Sequence, residues 1–132
     1  MTAEVSGRRV LAALWGAALE TARRLVHTTP TRGGAPVARV LFQVVHFPRP
    51  EYRDDMLAAM AVIRETSAHI AGLDEIGAFE EPDGSRIVAI SVWSSPEALE
   101  AGAAVLFASI AELPFDVWET RPAESATLTQ VA

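Results

Sequence analysis

His46 and the pair Glu65 and His69 are the side chains best suited to move a proton near neutral pH. An imidazole exchanges a proton in that range and can act as a general base. His46 lies near the end of an apolar, β-branched run. Glu65 and His69 are four residues apart, a spacing that lets side chains meet on one helix face. We therefore expect a catalytic base at His46 or an acid–base dyad of Glu65 and His69. The structural alternatives are a simply hydrogen-bonded His46 and a helix-terminal His69 that interacts with the helix dipole.

Gln43 and Trp93 could hold a ligand beside such a base. Gln43 lies in the same run as His46 but on the opposite face of a regular strand, and a buried amide there needs a partner in the protein or on a ligand. Trp93 ends another strand-like run and could stack on a planar molecule, although tryptophans more often fill a core. We expect Gln43 to donate a hydrogen bond and Trp93 to form a platform. The spacing of the three histidines matches no metal motif, and the chain has no cysteine, so we expect no metal site.

These candidates lie on segments that alternate between strand and helix patterns. Pro50 is suited to the first turn of a helix, Gly72 to its end, and Ser94 with Glu97 has capping-box spacing at the start of a second helix. The sequence Glu-Pro-Asp-Gly-Ser at 81–85 is typical of a hairpin connection. The predicted strands span 39–47, 74–79 and 86–93, the predicted helices 50–72 and 94–112, and two further extended segments 115–119 and 126–131.

The first 36 residues have the pattern of an appendage. Residues 8–26 show helical spacing of apolar side chains, and 27–36 are rich in Pro and Gly, so we place a folded domain at 37–132. The stretch between Glu100 and Glu112 carries no charge, and such a helix needs cover on more than one side. The N-terminal helix is the natural cover, so removal of residues 1–30 is expected to cause aggregation or lower the melting temperature.

The order β-α-β-β-α-β, followed by an extra C-terminal strand, predicts an α+β, ferredoxin-like fold, in which a four-stranded antiparallel sheet has both helices on one face. The strands are apolar on both sides, so the face without helices needs another cover. A second copy related by two-fold symmetry provides it, and we therefore expect a homodimer.

Composition excludes several classes of partner. With 17 acidic and 11 basic residues, the net charge of -6 lacks the positive field that nucleic acid or an anionic membrane attracts. Arg8 and Arg9 precede an apolar stretch, but charges follow directly and no run reaches the ~18 to 20 residues of a membrane span. We expect a cytoplasmic protein that binds neither nucleic acid nor membrane.

Residues 70–99 begin with Ile-Ala-Gly-Leu-Asp-Glu-Ile-Gly-Ala-Phe, continue through Glu-Pro-Asp-Gly-Ser and end with Ser-Val-Trp-Ser-Ser-Pro-Glu-Ala-Leu. This segment resembles the central part of the antibiotic biosynthesis monooxygenase (ABM) family. The shared pattern is a strand, an acidic hairpin, a strand that closes on a Trp-Ser-Ser-like corner, and a helix beginning Glu-Ala. The resemblance extends over about 37–132. It implies a dimeric α+β barrel with a small apolar pocket between sheet and helices.

Two chemistries occur in proteins that this chain resembles, and each implies particular residues. In the haem-degrading branch Trp93 matches a Trp and Gln43 stands for an Asn, but Gly102 replaces the His that would bind iron, which makes haem degradation the less favoured function. In the branch that oxidises anthrones without a cofactor, Ala89 and Leu99 replace an Asn and a Tyr. We expect no bound haem or flavin, since the chain also has no glycine-rich dinucleotide loop.

The resemblance and the candidate residues together favour a monooxygenase that needs neither metal nor flavin and acts on a small hydrophobic, aromatic or polyketide-like molecule in secondary metabolism. The same base and pocket would also serve a cyclase or isomerase. A third hypothesis is a ligand-binding or accessory protein without catalysis, which the apolar replacements at Ala89, Leu99 and Gly102 favour.

Overall fold

A computed structural model describes residues 38–132 of the chain. The elements follow in the order β1 (Val40–His46), α1 (Arg53–Ser67), β2 (Leu73–Glu80), β3 (Ile87–Trp93), α2 (Pro96–Ile110), α3 (Phe115–Trp118) and β4 (Glu124–Thr129). A short 3-10 turn, Pro50–Tyr52, leads into α1. The predicted N-terminal helix at 8–26 and the linker at 27–36 lie outside the described residues.

The four strands form one antiparallel sheet in the order β2-β3-β1-β4. The two central strands are the most apolar, and their alternating side chains point to opposite faces of the sheet. Helices α1 and α2 pack on the face that carries Val40, Phe42 and Trp93. The chain therefore has the α+β, ferredoxin-like architecture that its sequence predicts.

Trp93 and Gly102 make the closest approach between the sheet and α2. The indole is fully buried, and a Cβ atom on Gly102 would clash with its six-membered ring. Leu99, Ala103 and Leu106 complete this core on the helix side. The glycine therefore allows a large aromatic side chain to lie directly against the helix backbone.

The segment after α2 differs from its prediction. Residues 115–119 were expected to be extended because Phe, Val and Trp favour strands, but 115–118 form the short helix α3. Helical spacing directs Phe115 and Trp118 together into a second core cluster with Met56 and Ile87. Consequently no strand lies between α2 and β4. The fourth strand of the sheet is the segment that was expected as an extra C-terminal strand, and it begins at Glu124 rather than at Ala126.

Two helix ends also differ from expectation. Helix α1 ends at Ser67, and Gly72 lies further on, in a turn with a positive φ of 80° that favours glycine. At the start of α2 the capping residue is Ser95 rather than Ser94, because the Ser95 hydroxyl accepts a hydrogen bond from the backbone N–H of Ala98.

The opposite face of the sheet has no helix from residues 38–132 packed on it. It presents apolar side chains from all four strands, the amide of Gln43, and the carboxylates of Glu75 and Glu124 on the two outer strands. Phe79 on β2 is 61% exposed and Leu128 on β4 is 50% exposed. We call this surface the open face.

Candidate functional site

A cavity of about 280 Å³ lies between the sheet and the two long helices. Its volume is close to the lower end of the range of ~300 to 1,000 Å³ that is typical of ligand pockets. Most of its wall is apolar, from Phe42 and Val44 on β1 to Leu57 and Met60 on α1. A cavity of this kind suits a small hydrophobic molecule better than a polar one.

Three side chains bring polar groups to this wall: His46, Ser91 and Arg64. His46 and Ser91 are buried, whereas Arg64 is exposed. His46 faces the cavity because side chains alternate along a strand, so that Phe42, Val44 and His46 all point toward the helices. Ser91 faces the same cavity because it pairs directly with Phe42 across β1 and β3.

His46 is paired with Glu119 inside the protein. Its Nδ1 atom lies 2.6 Å from Oε1 of Glu119, and the two residues are only 5% and 7% exposed. The ring of Phe115 stacks on the imidazole at a centroid distance of 5.1 Å. This stacking and the short hydrogen bond hold the imidazole in one orientation at the cavity wall.

The backbone brings Glu119 to the end of β1. Pro48 and Glu119 form an isolated antiparallel bridge, and the N–H of Arg49 donates to the carbonyl of Trp118 at 2.7 Å. The N–H of Thr120 in turn donates to the carbonyl of Phe47 at 2.8 Å. The chain after α3 is thus fixed alongside the residues that follow His46.

The pair has the arrangement of a general base with an orienting carboxylate. A carboxylate only accepts hydrogen bonds, so a neutral imidazole beside it carries its proton on Nδ1 and keeps the lone pair on Nε2. Among residues 38–132, hydrogen bonds of the His46 side chain engage only Nδ1. His46 can therefore accept a proton through Nε2, and the charge of Glu119 stabilises the imidazolium that forms.

Ser91 supplies a hydroxyl to the same cavity. Its oxygen accepts a hydrogen bond of 2.9 Å from Nε1 of Trp93, so the hydroxyl hydrogen is available to another acceptor. The serine thereby also satisfies the buried indole N–H. A ligand oxygen in the cavity could receive the hydrogen bond that the hydroxyl donates.

The sequence-predicted site residues do not all meet at this cavity. His46 lines it, but Gln43 lies on the open face and Trp93 lies in the core beside Gly102. Glu65 on α1 and His69 just beyond its end are exposed and lie outside the cavity wall. Hence the structure brings His46 together with none of the other four candidates.

Sequence reasoning missed Glu119 and Ser91. Glu119 follows Phe115 and Trp118, whose i, i+3 spacing was the available sign of a helical turn that buries its apolar side. Ser91 is a small polar residue in the middle of an apolar strand, and such a buried hydroxyl needs a partner. The signal at Ser91 marks a polar group inside the core, whereas the spacing of Phe115 and Trp118 marks only the helical turn that precedes Glu119.

The cavity opens between α1 and β2. Its exposed wall residues are Ala61 and Arg64 on α1 and Ala78 on β2. Arg53 crosses the same gap nearer the start of α1. Its Nε and Nη2 atoms donate hydrogen bonds to the two carboxylate oxygens of Glu80, with Nε 2.5 Å from Oε2, and its Nη1 atom donates to Asp54. The hydrogen bond from Arg53 holds the pKa of the Glu80 carboxyl below its ordinary value of 4.5.

Two features of the described residues concern metal and haem ligands. No group of three or more His, Asp or Glu side chains in 38–132 is arranged to hold a metal ion. Position 102 has no room for a side chain that could bind iron, because the Trp93 ring occupies the space.

None of the helices in this part of the chain is long and apolar enough to cross a bilayer.

The described residues form a ferredoxin-like domain with a buried histidine–glutamate pair whose histidine lines an apolar cavity, and solved structures share that fold. The sequence matches no protein-family model and no curated protein. The chain is similar to Rv0793 from Mycobacterium tuberculosis, with a TM-score of 0.58 and 20% identity, covering 71% of this chain and 96% of that one.

Two further similar structures carry a functional name. One is an antibiotic biosynthesis monooxygenase, with a TM-score of 0.60 and 17% identity over 70% of this chain and 99% of that one. The other is a provisionally named antibiotic biosynthesis monooxygenase from Nitrosomonas europaea, with a TM-score of 0.57 and 12% identity over 70% and 90% of the two chains. The chain therefore has the fold of antibiotic biosynthesis monooxygenases.

Proposed function

We propose that this chain is an oxygenase of the antibiotic biosynthesis monooxygenase type that acts without metal or flavin on a small hydrophobic molecule. The substrate class is an aromatic or polyketide-like compound that air can oxidise once it loses a proton, and the setting is secondary metabolism in the cytoplasm. The observation that carries the proposal is the buried His46–Glu119 pair, whose histidine lines an apolar cavity.

The first step is proton abstraction by His46. Nε2 accepts a proton from an acidic CH₂ group of the substrate, and Glu119 stabilises the imidazolium. Negative charge then spreads over the substrate and onto its oxygen atom. The Ser91 hydroxyl is placed to donate a hydrogen bond to such an oxygen, since it lies in the same wall on the neighbouring strand.

The second step is reduction of oxygen by the carbanion. One electron passes to O₂, the resulting radical pair combines at carbon, and the imidazolium returns its proton to the peroxide anion. Loss of water from the hydroperoxide then leaves a carbonyl group, so CH₂ and O₂ become C=O and H₂O. The substrate supplies all the electrons, and the apolar wall keeps bulk water away from the carbanion.

We also propose that the protein acts as a homodimer through the open face. The apolar side chains of this face support the proposal, because exposed apolar groups such as Phe79 and Leu128 on a sheet surface are typical of an interface. Two-fold symmetry would place the same surface of both copies in contact. In that arrangement each cavity remains on the helix side of its own sheet.

Oxygen uptake with a panel of anthrones and quinols tests the proposed reaction. The variant His46→Gln should lower kcat by about 10²- to 10⁴-fold, the usual contribution of a general base. Glu119→Gln should lower kcat by a smaller factor with little change in KM, because the amide can still contact Nδ1 but lacks the charge.

His69→Gln is the matched comparison for His46→Gln. His69 is exposed and outside the cavity wall, so this variant should retain wild-type activity, whereas a Glu65–His69 dyad would require its loss. Full activity in His46→Gln would overturn the proposed role of the pair. Product that forms without oxygen consumption would instead identify a cyclase or isomerase that uses the same base.

A further inference from the structure

Arg64 gives the cavity mouth a positive charge that no described carboxylate neutralises. We propose that Arg64 binds an anionic group of the substrate, so that the substrate is a small apolar molecule with a carboxylate or phenolate at one end. This inference rests on the proposed function for the reaction, but the anion site itself follows from the cavity. The acidic end would lie at the mouth and the reacting carbon near His46.

The other arginines in residues 38–132 have partners within that range. Four pair with carboxylates, and Arg49 donates from Nε to the carbonyl of Val117. The four ion pairs are Arg39–Asp74, Arg53–Glu80, Arg86–Glu81 and Arg121–Glu124. No hydrogen bond or ion pair within 38–132 engages the guanidinium of Arg64, although the chain carries six more acidic than basic residues.

The helix around Arg64 offers no carboxylate at pairing distance along its own face. The residues three and four positions away are Met60, Ala61, Ser67 and Ala68, all uncharged. Two of them, Met60 and Ala61, line the cavity together with Arg64. The guanidinium therefore stands beside an apolar opening, where an incoming carboxylate can form a bidentate, charge-assisted contact.

Arg64 and His46 lie toward different ends of the cavity. His46 stacks on Phe115, which packs in one cluster with Met56 from the first turn of α1. Arg64 lies in the last turn, about two helical turns or ~10 Å beyond the wall residue Leu57. A ligand whose acidic group contacts Arg64 would thus extend its apolar body inward, toward the base.

A basic residue in the last turn also interacts favourably with the helix dipole, so the test needs a measurement that this structural role does not change. The preference for charged over neutral ligands is such a measurement. We would compare the dissociation constants of 2-naphthoate and its neutral analogue 2-naphthamide by calorimetry, at low and high salt. These probes bind without turnover, so the result does not depend on catalysis.

The wild-type protein should bind 2-naphthoate at least about tenfold more tightly than 2-naphthamide, and added salt should reduce the difference. Arg64→Gln should lose this preference and leave the affinity for 2-naphthamide unchanged, and Arg64→Lys should restore part of it. Arg49→Gln is the control, since Arg49 is exposed and outside the cavity wall.

With anthrone-2-carboxylate as the oxidisable probe, which carries the acidic CH₂ group of the proposed reaction, Arg64→Gln should raise KM about tenfold and leave kcat nearly unchanged. Equal binding of the two naphthalene probes to wild type, binding of neither, or a preference retained in Arg64→Gln would overturn the anion site. If the preference depends on Arg64 but no quinol or anthrone is oxidised, the proposed oxygenase function fails while the anion site stands.

Discussion

Gly102 is a position where packing against a neighbouring side chain, and not a catalytic role, explains which residue is present. The family resemblance draws attention to this position because a haem-ligating His is absent there, and the structure supplies the reason within this chain. The Trp93 ring lies against the Gly102 backbone and leaves no space for any side chain. Trp93 is in turn held by its hydrogen bond to Ser91, so the three residues form one packed unit behind the cavity.

Replacement of Gly102 by alanine should therefore destabilise the domain. In an open helix position the change would add up to about 1 kcal/mol of stability, because alanine is the better helix former. Here the added methyl group forces Trp93 to move, and overpacking of this kind costs about 1 to 3 kcal/mol. Thermal or urea unfolding of Gly102→Ala shows whether the free energy of unfolding falls or rises. Trp93→Phe in the same background should recover part of the loss, and a stabilised Gly102→Ala would contradict the packing.

The contrast between His46 and Glu119 shows which part of the site is predictable from sequence. The side of β1 on which His46 lies follows from strand alternation, and Gln43 was correctly placed on the other side. Glu119 is 73 residues away from His46 in the chain. Its contact depends on the whole path of the chain after α2, which no local pattern encodes, so the carboxylate of the pair could not be identified.

At the level of elements, strongly patterned segments were predictable and the short connecting segment was not. The central strands and both long helices carry many residues with one consistent period, so their type follows from hydrophobic spacing. Helix α3 has only four residues, and its composition favours a strand. Tertiary packing of Phe115 and Trp118 decides its conformation instead.

The ion pair between Arg53 and Glu80 joins the start of α1 to β2 beside the cavity mouth. Because the folded-state pKa of Glu80 is lowered by the hydrogen bond from Arg53, the stabilisation is present above the ordinary value of 4.5 and is lost as the pH falls through the folded pKa.

Arg53→Gln should thus lower the melting temperature slightly at pH 7, by at most about a few degrees since the pair is exposed. The difference from wild type should shrink as the pH falls below 4.5. Melting curves from pH 3 to pH 8 measure the difference at neutral pH and its decrease in acid. Arg49→Gln provides a control with no carboxylate partner among the described residues. A difference that grows in acid would contradict this assignment.

For the whole molecule, the open face determines the expected assembly. Light scattering should give about twice the chain mass of 14.1 kDa. Phe79→Glu should shift the protein toward monomer, since Phe79 is 61% exposed on this face and contributes little to the monomer core. Val62→Glu is the matched control, because Val62 is 58% exposed but lies on α1, in the helical layer.

The control variant should remain dimeric, and a wild-type monomer or equal dissociation of both variants would contradict an interface on the open face. The ferredoxin-like fold was predictable at this scale because the order of strand and helix patterns leaves few topologies.

The outer strands of the sheet have a consequence for solubility. Strand β2 ends the sheet on one side, and it carries Asp74, Glu75 and Glu80, with a bulge between Leu73 and Glu75. Edge-to-edge pairing of two such strands would bring carboxylates together across a distorted ladder, which disfavours fibril-like growth at neutral pH. The repulsion between whole molecules weakens in acid, because the net charge of the chain approaches zero near its pI of about 5.0. The charged and distorted edge of β2 is thus needed most where the net charge of the chain is smallest.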